Sequence, residues 1–117
     1  DALTVAWTHA WERAAGGMDG RVYPWGDEYR ADYANINETR GDAGPHYLAR
    51  TSPVGMYSKG ASPEGVHDLA GNVWELCLNE YDIPKRTQSG GPEPRVLRGG
   101  SWYDGQGHTR AGGRYFA

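Results

Sequence analysis

Gly71-Asn72-Val73-Trp74-Glu75 places a flexible glycine, a turn-forming asparagine, a large aromatic ring and a carboxylate within five residues. Further on, Arg95-Val96-Leu97-Arg98-Gly99-Gly100-Ser101-Trp102 joins a short apolar run to a Gly-Gly pair and another tryptophan. Neither stretch is an ordinary amphipathic element. The first is expected to be a turn leading into a buried strand, since it continues from Gly65 to Cys77 through Leu69, Val73 and Leu76. The second is the best strand candidate in the chain.

Outward from these two runs, order becomes less regular. Trp7, Ala10, Trp11 and Ala14 fall at i, i+3, i+4 and i+7, which predicts a helix over residues 4–15. Gly16-Gly17 follows as a C-terminal stop. Arg21-Val22-Tyr23-Pro24-Trp25-Gly26-Asp27 is short, aromatic and punctuated by Pro and Gly. Residues 28–50 form a long ordered loop in this reading, with Asn35 and Asp42 as its anchors. Thr51 to Tyr57 is expected as an edge strand or extended segment, because Pro53 cannot donate to a central ladder. Residues 82–94 are a polar Pro/Gly/Ser loop, and the last fifteen residues show no periodicity. There is no internal repeat.

The chain of 117 residues has the length of one domain. With 18 glycines and an apolar content of 38%, it suits a fold of many tight turns. Five Trp and eight Tyr against one Phe imply a core built from a few large rings, with Trp25, Trp74 and Trp102 expected inside. A net charge of −3 and a pI near 5.7 speak against a general nucleic-acid binder. No apolar run approaches the length of a membrane span. No signal peptide is visible, and a start at Asp1 without Met suggests a trimmed chain. Cys77 is the one cysteine, so no internal disulfide forms, which weakly favours a reducing, cytoplasmic compartment.

Trp11-Glu12-Arg13-Ala14-Ala15, Tyr23-Pro24-Trp25-Gly26, Ala34-Asn35-Ile36, Ser52-Pro53-Val54-Gly55 and the two runs quoted first occur in the order seen in the sulfatase-modifying-factor family, which includes the formylglycine-generating enzymes. The chain resembles that family over roughly residues 11–114. The resemblance implies an α+β, loop-rich C-type-lectin-like fold with short twisted antiparallel strands and about two helices. It also implies a single domain over 1–117 lacking the family's terminal segments. Val5-Ala6-Trp7-Thr8 stands where the family has Leu-Pro-Thr-Glu, and the family's terminal Gly-Phe-Arg strand has no counterpart.

The formylglycine-generating enzymes bind copper with two cysteines just beyond the Gly-Gly-Ser-aromatic run, thiolates being soft ligands for Cu(I). Those positions fall on Asp104 and Thr109, so no copper is expected. His9, His46, His67 and His108 lack metal-ligand spacing, which argues against the histidine-bound iron of the family's sulfoxide synthases. Calcium, which prefers oxygen ligands, is the cofactor the resemblance does imply. Its first site maps onto the Asp68 and Glu75 side chains with the Gly71 and Val73 carbonyls. Its second maps onto Asn35 and the Ile36 carbonyl, with further ligands in 42–48. The alternative is that Asp68 and Glu75 cap turns or pair with arginine.

In one branch of the family, the variable proteins of diversity-generating retroelements, the stretch after Gly-Gly-Ser-aromatic is mutated at adenines. Tyr103, Asp104, Gly105, His108, Tyr115 and Phe116 all belong to the set that a mutated Asn codon yields, although ordinary family members are also polar and aromatic here. Tyrosine and glycine suit a binding surface, the one by area and the other by adaptability. Tyr103, Asp104, His108, Arg110 and Tyr115 are therefore the candidate ligand-binding residues, with a protein or small molecule as partner. The leading expectation is a non-catalytic binding domain. The alternatives are an oxidoreductase-type domain within a larger enzyme, and a purely structural module.

Overall fold

The computed structural model describes residues 8–87 and 91–116. Helix α1 spans Thr8–Gly16. Strands β1 (Glu75–Glu80), β2 (Arg95–Arg98) and β3 (Tyr115–Phe116) form an antiparallel sheet in the order β1-β2-β3. Single 3₁₀ turns occupy Arg40–Asp42, Ser58–Gly60 and Gln106–Thr109. The rest is turn and loop, which makes this the loop-rich α+β architecture that the sequence implies. Among the described residues, α1 is the one α-helix, and 3₁₀ turns provide the other helical geometry.

Trp11 and Ala15, four residues apart, bury one face of α1 against Leu69 and Ala111. Ala14 packs partly, whereas Ala10 is exposed, so the buried stripe is rotated from the expected one. Trp7 and the His9 side chain lie outside the described residues. Gly17 stops the helix at φ 65°, its N–H donating to the Arg13 carbonyl at 2.8 Å.

A second small cluster joins Ala34, Ile36 and Ala70, with Trp25 and Tyr29 packed on its edge. Trp25, Trp74 and Trp102 are only half-buried. The largest fully buried side chains are instead Arg98, Ile36 and Glu38, two of them charged. Two small clusters cannot enclose several indoles, so the rings pave the outside of the loops and hydrogen bonds fill the inside.

Most buried polar groups are accordingly paired. Glu38 accepts from Tyr29 Oη at 2.7 Å, from the Asp32 N–H at 2.6 Å and from the His46 N–H at 3.1 Å. This carboxylate, rather than Asp42, anchors the 28–50 loop; Asp42 lies exposed in its 3₁₀ turn. Burial and the Glu38 carboxylate together push the Tyr29 hydroxyl well above its ordinary pKa, so it remains a donor. Arg98 donates to Glu12 Oε1 at 2.8 Å and to the Gly113 carbonyl at 3.0 Å, tying β2 to α1 and to the approach to β3.

In the sheet, Cys77, Val96 and Arg98 point inward, while Leu76, Leu97 and Tyr115 make a row across the other face. Thr51 to Tyr57 is extended only at its start and then turns, with Gly55 at φ 83°. The last residues, which show no period, nevertheless form a 3₁₀ turn and β3. Their order comes from partners distant in sequence: Ala111 N–H donates to the Val22 carbonyl at 2.7 Å, and Tyr115 pairs with Leu97.

Gly71 shows why the first run reads as it does. Its φ is 78°, and a Cβ there would lie 2.5 Å from the Asn35 carbonyl oxygen and 2.8 Å from Ile36 Cγ2. Gly71→Ala should therefore lower the unfolding free energy by roughly 2 kcal/mol or more. An unchanged midpoint in urea denaturation would contradict this packing.

Candidate ligand-binding surface

Gly99 and Gly100, at φ 96° and 73°, turn the chain out of β2. Ser101 then starts a tight turn. Its N–H and Oγ donate to Asp104 Oδ2 at 3.0 and 2.7 Å, and its carbonyl accepts from the Asp104 N–H at 3.1 Å. The Asp104 carbonyl in turn accepts from the Asn37 N–H at 2.9 Å. Asp104 thus holds the loop in shape and is half-buried, while its neighbour Tyr103 is 54% exposed.

Two ring clusters decorate this scaffold. In one, Trp102 stacks on Tyr47 at 6.3 Å between centroids and meets Tyr103 edge-on at 5.9 Å, while the Arg40 guanidinium sits 4.3 Å over the Tyr103 ring. In the other, Trp74, His108 and Tyr115 meet pairwise at 5.0–6.0 Å. Arg110 is exposed, and no side-chain partner holds it among the described residues.

Of the five residues expected to bind, Tyr103, His108 and Tyr115 contribute rings, Arg110 contributes a charge, and Asp104 supports them. Arg40, Tyr47 and Trp74 join the surface without having been expected there. They are remote in sequence, and nothing local to them signals it.

The positions that align with the copper thiols have other duties. Asp104 caps the turn, and the fully buried Thr109 donates its hydroxyl to the Gln106 carbonyl at 2.7 Å. A carboxylate and a hydroxyl, both engaged locally, do not fit a soft Cu(I) ion. Cys77 is buried in the sheet, where burial pushes its thiol up to about 11, so it stays protonated and inert.

Among the described residues, no three His, Cys, Asp or Glu side chains gather as metal ligands do. Asp68 Oδ2 accepts from the Gly55 N–H at 2.8 Å, and Glu75 Oε2 accepts from Trp11 Nε1 at 2.6 Å. Each carboxylate keeps its other oxygen. Between them lie Gly71, which is buried, and Val73, which is exposed. At the second expected site, Asn35 Nδ2 donates to the Arg50 carbonyl at 2.8 Å, to Ser52 Oγ and to Asn72 Oδ1, yet its Oδ1 is buried without a donor. That unpartnered oxygen is of the kind calcium takes.

The sulfatase-modifying factor enzyme 1-like domain model matches residues 7–116. The chain belongs to this family. It is 37% identical over 98 residues to the inactive C-alpha-formylglycine-generating enzyme 2 of Bos taurus, covering 80% of this chain and 30% of that protein. It is 36% identical over 107 residues to the hercynine oxygenase of Mycolicibacterium thermoresistibile, covering 80% of this chain and 22% of the enzyme. Among solved structures, Treponema denticola variable protein 1 superposes with a TM-score of 0.69 at 25% identity, over 97% of this chain and 41% of that one. The chain thus spans about a third or less of these two sequence relatives. The likeness to a variable protein supports the resemblance to that branch, and family membership sets the fold.

Two outcomes follow from the geometry. Asp104→Ala should cost about 1–2 kcal/mol through the two lost turn contacts, whereas Tyr103→Ala with His108→Ala should change stability by less than about 0.5 kcal/mol. Equal melting shifts in the two proteins would refute the division of labour. The Glu75 carboxyl is raised above its ordinary value, first by burial and further by Asp68, with the Trp11 hydrogen bond opposing. In the window between the unfolded and the raised folded pKa, the native state holds more of this proton, so its contribution falls as pH rises. Relative to Glu75→Gln, the wild type should lose stability on going upward through that window; a pH-independent difference would refute the assignment.

Proposed function

We propose that this domain is a non-catalytic binding module whose ligand docks on the surface built by Tyr103, His108, Arg110 and Tyr115, with Asp104 as its brace. The observation that carries this reading is the pair of ring clusters, with Tyr47, Tyr103 and His108 exposed, raised on a loop whose shape is set by its own hydrogen bonds. Large rings fixed on a rigid scaffold offer contact area at low entropy cost. The likeness to a variable protein and to a relative named inactive supports the same reading. Variation of residues 103–116 by a retroelement would fit it. The partner is a protein or a small molecule; the acidic balance speaks against nucleic acid.

Copper-dependent aldehyde formation does not belong to this reading, because the two thiol positions hold Asp104 and Thr109. Incubation with Cu(I), oxygen and a cysteine peptide should yield no aldehyde. A second reading, a domain of a larger oxidoreductase, draws its support from the likeness to hercynine oxygenase.

Calcium is the ion we propose for the fold, with the unpartnered Asn35 Oδ1 and the Ile36 carbonyl at one site and Asp68, Glu75 and the Gly71 and Val73 carbonyls at the other. The ion would neutralise carboxylates and fix loops. Chelation should lower the melting temperature, and Asn35→Ala should shrink that drop; indifference to chelator would count against both sites.

The main test is a thermal-shift screen of peptide and metabolite libraries. Hits should lose binding in Tyr103→Ala/His108→Ala while its melting temperature holds. If every hit bound this double variant as tightly as the wild type, the surface would be refuted.

A further inference from the structure

A groove of about 420 Å³ runs between the C-terminal half of α1 and the stretch from Gly107 to Tyr115. That volume falls within the range of small-molecule sites. Its chemistry is asymmetric. Arg110 lines it and has no side-chain partner among the described residues. Glu12 lines it too, half-exposed, with Oε1 held by Arg98 at 2.8 Å. The other oxygen, Oε2, faces Gly112, where a Cβ would lie 3.9 Å away and meet nothing closer. Arg110 and Glu12 line the same groove without forming an ion pair with each other. The third charged residue in the lining, Arg21, is already paired with Asp19 and Glu64. The groove therefore offers one cation and one anionic oxygen, with Ala111 and the Tyr115 ring as its apolar wall.

We propose that this groove binds an amino-acid-like zwitterion: its carboxylate meets Arg110, its ammonium meets Glu12 Oε2, and its apolar side group lies against Ala111 and Tyr115. The proposal goes beyond the ring surface: the groove is a separate site that shares Arg110 and Tyr115 with it and takes its own ligand. The glycines at 107, 112 and 113 follow from it, because side chains there would narrow the groove. Glu12 is held in place by a buried arginine, which fixes where the ammonium must sit. A ligand carrying both charges gains two charge-assisted hydrogen bonds here, whereas one with a single charge gains one.

The probe is L-phenylalanine, compared with L-phenylalaninamide and N-acetyl-L-phenylalanine by isothermal titration and saturation-transfer NMR. Each blocked form should bind at least about tenfold more weakly, since each loses a charge-assisted hydrogen bond. Arg110→Gln should bind phenylalanine and its amide alike. Gly112→Leu, at an exposed position without positive φ, should fill the groove and weaken phenylalanine at least about tenfold with an unchanged melting temperature. Tyr103→Ala, whose ring belongs to the other cluster and not to the groove lining, should bind phenylalanine as the wild type does. Absence of phenylalanine binding, or equal binding of all three compounds, would overturn the zwitterion groove while leaving the ring surface to its own screen. Binding lost in Tyr103→Ala but kept in Gly112→Leu would place the ligand on the ring surface and overturn the groove.

Discussion

Asn72 is the residue at which the loops of this protein are tied. Its N–H donates to the Asn35 carbonyl at 2.8 Å, and its carbonyl accepts from the Trp102 N–H at 2.9 Å. Its Oδ1 accepts from the Ser52 N–H at 2.9 Å and from Asn35 Nδ2 at 3.2 Å, and its Nδ2 donates to the Ser52 carbonyl. One step earlier, the Gly71 N–H donates to the Gly99 carbonyl at 2.7 Å. Four stretches remote in sequence, around 35, 52, 72 and 100, therefore share one node. Asn72 sits at φ 69°, a region asparagine tolerates better than most residues. The node holds the backbone at Trp102, whose ring packs with Tyr47 and Tyr103.

Such a node is necessary because apolar burial here is small. The two clusters hold few large side chains, and three half-buried tryptophans lie outside them. Cooperativity must then come from buried polar groups that are paired in one arrangement only, since an unpaired one is costly. Glu38, Arg98 and Asn72 each join segments that no strand pairing connects. Removing Glu12 would take one charged partner from the buried Arg98 guanidinium while its bond to the Gly113 carbonyl remained.

What was legible in the sequence follows the same division. Local rules located α1 up to its glycine stop, both longer strands and the turn at Gly71, because those depend on period and on positive φ. Family motifs gave the architecture. The inner roles of Glu38 and Arg98 were hidden, since a glutamate in a polar loop and an arginine in a short strand look like surface residues. The order of residues 106–116 was also hidden, as its hydrogen bonds run to Val22 and to β2. For the candidate surface, composition pointed to the loop, but it could not separate Asp104, which braces, from Tyr103 beside it, which is displayed. Arg40 and Trp74 came to the site through tertiary structure alone.

The separation of brace from display explains how such a surface could change without loss of the fold. Ser101, Asp104, Thr109 and Ala111 hold the backbone of the loop through local hydrogen bonds, through burial, or through the bond to Val22. Tyr103, His108 and Arg110 alternate with them and are exposed. Alternation of this kind lets neighbouring positions carry opposite constraints. Substitution at the exposed set alters ring area and charge where a ligand would meet them, and leaves the hydrogen bonds that set the loop's path untouched. The backbone geometry of the loop is then set by Asn72 and Asp104, while the side chains of Tyr103, His108 and Arg110 stay exposed beside it.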